Sequence, residues 1–112
     1  MSNPIIANLE KLVGGPRDGE LLRYSLGNEY LKTGDFITAA GHLREAVRRN
    51  PQHSAAWKLL GKALAAANEQ KAALEAYTQG IRVAEAKGDI QSVKEMQVFA
   101  KRLKKALDEN AA

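Results

Sequence analysis

Apolar residues recur along this chain at intervals of three and four, the spacing of one face of an α-helix. No β-branched stretch alternates for long enough to read as a strand. Ile5, Leu9, Leu12 and Val13 form the first stripe and predict a short helix over 3–14, with Asn3 as cap, Pro4 at the first helical position and Gly14 at the exit. Gly14-Gly15-Pro16-Arg17-Asp18-Gly19 follows, a run of breakers that predicts a linker on which the first helix can hinge. From Glu20 onward the pattern is helical. One helix is expected over about 20–32, ending at Gly34, and a second over about 36–49, capped by Asp35 and stopped by Asn50-Pro51. A third opens at Ser54 and runs to about Ala67; Asn68 is expected to cap a fourth that reaches about Lys87. After Gly88, Asp89 caps a fifth to about Asp108, with Val93, Met96, Ala100, Leu103 and Leu107 on one face. The short connections predict antiparallel neighbours.

Residues 20–53 and 54–87 echo each other. Leu26, Gly27, Ala39 and Arg48 recur 34 positions later as Leu60, Gly61, Ala73 and Arg82, and the paired positions are alike in character where they are not identical: Leu43 meets Tyr77, Ala46 meets Gly80, Val47 meets Ile81. A glycine inside a helix costs roughly 0.5–1 kcal/mol relative to alanine. Two such penalties at one spacing predict two close helix–helix approaches, where a Cβ would clash. The small residues at 39, 73, 46 and 80 serve the same end on the second helix of each pair.

These residues resemble the tetratricopeptide repeat family, whose unit is a 34-residue helix–turn–helix. The first unit carries Leu26-Gly27, Tyr30, Gly34-Asp35-Phe36, Ala39, Leu43, Ala46 and Pro51; the second carries Trp57, Leu60-Gly61, Leu64, Ala73 and Tyr77. The chain departs from the pattern at Arg23, where the family prefers Trp, at Gly80 and Glu85, and at the Asn68-Glu69-Gln70 turn. The resemblance implies an all-α superhelix of stacked hairpins: an N-terminal helix and linker over 1–19, repeats over 20–53 and 54–87, and a C-terminal capping helix over 88–112. Two units are fewer than a stacked array usually needs, so the last helix is expected to cover the exposed end of the second pair. The first helix is left three places: the other end, the groove, or free.

The resemblance also implies a concave face lined by the first helix of each pair, used to bind another protein. Turning about 100° per residue from the buried face places Tyr24, Asn28, Leu31 and Lys32 there in the first unit, with Leu21 nearby, and Lys58 and Lys62 among Ala55, Ala65 and Ala66 in the second. Leu60 is expected in the core. Aromatic and leucine anchors beside lysines suit a peptide or helix, and an acidic one best. Some members grip a C-terminal carboxylate with a Lys/Asn clamp. Asn28 sits at one clamp position, but Tyr24, Leu59, Asp89 and Val93 stand at the others, so recognition of chaperone C-termini does not carry over.

Composition and charge alter this picture little. Among 112 residues, 45% apolar and 27% charged is globular composition, and the absence of Cys removes disulfides and thiolate chemistry. The net charge of +4 is spread thinly, with 0 over 1–19, +1 over 20–53, +2 over 54–87 and +1 over 88–112, which argues against a nucleic-acid arm. The alternative it leaves is a nucleic-acid-associated protein using the basic 94–105 helix face, where Lys101, Lys104 and Lys105 are densest. A second alternative is self-association through the N-terminal helix. His42 and His53 lack metal-site spacing, and the Gly14–Gly19 loop is followed by Glu20 where a phosphate loop needs Lys. No cofactor, metal or catalytic residue is therefore expected, and the chain reads as a non-enzymatic interaction module. With no leader-like start and no membrane-spanning run, a cytoplasmic location is expected.

Overall fold

The computed structural model describes residues 3–111, and among them it contains six α-helices and no strand. They are α1 (Pro4–Glu10), α2 (Glu20–Thr33), α3 (Phe36–Arg49), α4 (Ser54–Ala66), α5 (Gln70–Lys87) and α6 (Ile90–Ala111). Helices α2/α3 and α4/α5 form two antiparallel hairpins, and α6 packs along α5.

Helices α2, α4 and α5 stop for a shared reason. Gly34 (φ 83°) and Gly88 (φ 72°) take the left-handed conformation, and the next N–H, of Asp35 or Asp89, reaches back to Tyr30 O or Ala84 O. Asn68 (φ 63°) does the same 34 residues after Gly34, with Glu69 N–H on Leu64 O at 2.8 Å. The sequence-based expectation that Asn68 caps α5 is thus corrected: it closes α4, and Glu69 precedes α5 without a side-chain cap. Asp35 and Asp89 do cap, accepting from Thr38 N–H at 3.3 Å and Ser92 N–H at 3.2 Å. The first helix also ends early, at Glu10. Beyond it Leu12 and Val13 make tight bonds to carbonyls three residues back, and Gly14 turns left-handed with its N–H on Asp18 Oδ2.

Both helical glycines of the repeat sit where close approach requires them. A Cβ on Gly27 would lie 2.4 Å from Leu43 Cγ; on Gly61 it would lie 2.7 Å from the Tyr77 ring. The same joint is therefore built twice, with Leu in one socket and Tyr in the other. Gly80 makes a third joint, where a Cβ would meet Met96 Sδ at 2.6 Å and Trp57 Cβ at 2.9 Å. Around these contacts one core runs from Ala39 and Leu43 through Leu60, Leu64 and Tyr77 to Met96, Ala100 and Leu103. The C-terminal helix thus covers the end of the second hairpin, with Lys94, Lys101 and Lys105 left on its exposed side.

Helix α1 occupies the outer end of the first hairpin rather than the groove. It buries no residue fully and is held by polar contacts: Tyr30 Oη donates to Glu10 Oε1 at 2.8 Å, and His42 Nε2 lies 3.3 Å from the same oxygen. The Gly/Pro segment expected to hinge is pinned. Asp18 receives Arg23 Nε and Nη2 at 2.8 and 2.9 Å, and Arg49 Nη1 donates to the Asp18 carbonyl at 2.6 Å. Arg23, which stands in place of the family's Trp, has become the anchor of this end. Among the described residues no helix is long and apolar enough to cross a membrane.

Candidate functional site

Stacking a hairpin on a hairpin gives two sides, and their curvature follows from which helices meet. Helix α4 lies against both α2 and α6, whereas no Cα of α3 comes within 8 Å of a Cα of α5. The α2/α4/α6 side is closed and the α3/α5 side is splayed, so the row bends with α2, α4 and α6 on its inner, concave face. The splay leaves a cleft of about 390 Å³ on the outer side, floored by Val47, Trp57, Leu60 and Leu64.

The residues expected on the concave face are partly engaged. Tyr24 is half-buried, tilted at 37° against the His53 ring with 4.6 Å between centroids, and packed against the core with Leu31. His53 is itself held by Glu20 Oε2 at 2.9 Å, and Asn50 donates to the same carboxylate at 2.8 Å, so the inter-hairpin loop is tied to the start of α2. Asn28 is half-buried and bonds to no described side chain. Lys32 is exposed and pairs with Glu29 at 3.3 Å. Lys58 pairs with Glu95 of α6 at 3.2 Å, and Lys62, one turn on, is exposed with no carboxylate partner among the described residues.

Lys58 and Lys62 belong to a cavity of about 320 Å³ between α4 and α6, lined also by Leu59, Tyr77, Glu95 and Phe99. Phe99 is 39% exposed, stacks on Tyr77 at 5.5 Å and carries the Arg102 guanidinium 6.0 Å above its ring. Glu95 and Phe99, four residues apart on one face of α6, are groove residues that the sequence reading did not place there. The apolar stripe of α6 fixes which side it buries but not which neighbours its flanks meet. Tyr77 is buried, and its burial pushes the phenol up to about 12, so it stays protonated at neutral pH. Among the described residues no group of three His, Cys, Asp or Glu side chains could hold a metal ion.

Helical hairpins stacked in 34-residue steps, curved so that their first helices line the inner face, define an α-helical repeat protein. The tetratricopeptide repeat family model matches residues 24–89, more than half of the sequence. The TPR repeat-containing protein PA0015 of Pseudomonas aeruginosa is 45% identical over 102 residues, covering 91% of this chain and 97% of that protein. The solution structure of protein BPP2914 from Bordetella parapertussis superposes with a TM-score of 0.78 at 38% identity, covering 94% of this chain and 91% of that one. A tetratricopeptide repeat domain protein from Salinibacter ruber superposes with a TM-score of 0.69 at 28% identity, covering 79% and 88%. The chain belongs to the tetratricopeptide repeat family. Proteins of this family generally mediate protein–protein contacts and are generally non-catalytic scaffolds.

Proposed function

We propose that this protein binds a peptide or helix of a partner protein along the α2/α4/α6 face, without catalysis. The observation that carries this reading is the α4–α6 cavity, which sets an exposed aromatic edge, Phe99, beside an unpaired ammonium, Lys62. Such a pairing suits a segment with alternating apolar and acidic residues. Tyr24, Asn28 and Leu31 extend the surface onto α2, and Lys32 and Lys58 add positive charge already shared with Glu29 and Glu95.

A second reading is favoured by one observation. Lys94, Lys101, Arg102, Lys104 and Lys105 of α6 are all exposed and none pairs with a carboxylate among the described residues. That concentration of uncompensated charge, on the helix where the basic residues are densest in the sequence, suits nucleic acid.

Amide chemical-shift mapping separates the two. Peptides of acidic and basic composition, and a short DNA duplex, are titrated into the labelled protein. The groove reading expects acidic peptides to shift Tyr24, Leu31, Lys62 and Phe99. Shifts confined to the outer face of α6, produced by the duplex and falling steeply with salt, overturn it.

A further inference from the structure

The floor of the α4–α6 cavity holds a polar group that the fold does not use. Tyr77 is 3% exposed and lines the cavity, yet its hydroxyl makes no hydrogen bond to any described residue. It is not sealed off, because no fully buried side-chain oxygen or nitrogen lacks a partner among the described residues. At the equivalent position of the first hairpin Leu43 fills the socket against its glycine with no polar atom. Packing therefore needs the ring and leaves the hydroxyl over. A nearly buried phenol without a partner is a donor waiting for an acceptor.

The surroundings say what acceptor fits. Lys58 and Lys62 stand on one wall, and one carboxylate already reaches in: Glu95, 3.2 Å from Lys58 Nζ. Both members of this pair are about a third exposed, so the pair contributes little and exchanges readily. Phe99 supplies an apolar shelf on the opposite wall.

We infer that this cavity is a subsite for a carboxylate side chain carried next to an apolar residue of the partner, and that Glu95 holds the place of that carboxylate until the partner arrives. The incoming carboxylate takes Lys58 from Glu95, gains Lys62 and accepts from the Tyr77 hydroxyl, while the apolar neighbour lies on Phe99. Displaced Glu95 then faces a like charge and weakens binding. This rests on the groove reading above and adds to it the chemistry of one position and a built-in competitor.

The test uses the full chain and twelve-residue peptides selected on it from an unbiased displayed library, with affinity measured by fluorescence anisotropy. Selected peptides are expected to share an Asp or Glu beside a large apolar residue. Changing that acid to its amide should weaken binding roughly tenfold or more, as should Tyr77→Phe, with an unchanged thermal midpoint, since the lost hydrogen bond is to a charged group. Glu95→Gln should tighten acidic peptides several-fold and leave their amide versions unaffected. If peptides bind the concave face but ignore Tyr77→Phe and Glu95→Gln, the subsite is overturned while the groove reading stands. If none is selected, or those selected map to another face, the groove reading falls and takes the subsite with it.

Discussion

The two ends of the molecule are closed by different physics. At the C-terminal end, α6 lays 22 residues along α5 and puts Met96, Ala100 and Leu103 into the common core. At the N-terminal end, α1 contributes seven residues and buries none of them fully; its place is held by Asp18, Arg23, Glu10, Tyr30 and His42. An apolar seal is insensitive to salt and pH, whereas a set of partly exposed charge contacts is sensitive to both. The contrast shows that covering the end of a repeat array needs no repeat: a long amphipathic helix or a short latched one suffices, with very different stability.

That contrast can be broken or sharpened. Met96→Ala deletes a side chain with no exposure and should cost about 2–5 kcal/mol in denaturant unfolding. A smaller loss would mean that α6 lies on the fold without being part of it. Gly80→Ala drives a Cβ into Met96 Sδ and Trp57 Cβ. Overpacking of about 1–3 kcal/mol, set against roughly 1 kcal/mol gained in helix propensity, leaves a net loss of up to about 2 kcal/mol. A clear gain in stability would show the seal to be slack.

Acid should open the other end. The Arg23 guanidinium, helped by the Gly14 N–H, holds the Asp18 carboxyl well below the usual carboxylate range; Arg48 and Arg49 hold Glu45 at about 2. Each folded carboxylate binds its proton less readily than the unfolded one. Their contribution is therefore complete above about pH 4 and drains away as pH falls through the folded values. Protection of the α1 amides against exchange should fall between about pH 4 and 2 before that of the α6 amides, and Asp18→Asn should abolish most of the difference. Simultaneous loss of protection would mean that the two ends are one cooperative unit. The smallest effect is expected at Ile5, 54% exposed on α1, where substitution by Ala should stay within about ±0.5 kcal/mol by thermal melting.

Much of the fold was legible because its punctuation is local. Gly34, Asn50-Pro51 and Gly88-Asp89 mark boundaries that hold to within a residue or two, and the paired glycines announced the joints at Leu43 and Tyr77. Asn68 was misread because a short amide suits both a helix cap and a left-handed exit. Its offset of 34 from Gly34 was the signal that decides. The inner face was legible only in part. Helical periodicity placed Lys58 and Lys62 on it, but the pairing of Lys58 with Glu95 joins residues 37 apart through a helix that leaves the repeat pattern. The polar latch of α1 was hidden for the same reason: Glu10, Asp18, Arg23 and His42 carry no periodicity, and only the folded chain brings them together.

The seat at Gly80 has an architectural corollary. Helix α6 rests on the second hairpin much as α4 rests on the first, so the join after Lys87 is a natural point of growth. A duplicate of Ser54–Lys87 spliced ahead of Gly88 would present α3 and α6 with the partners they already have and leave a single new seam to solve. The molecule is in this sense a short segment of an extensible rod, capped at two steps and ready to be lengthened by whole ones.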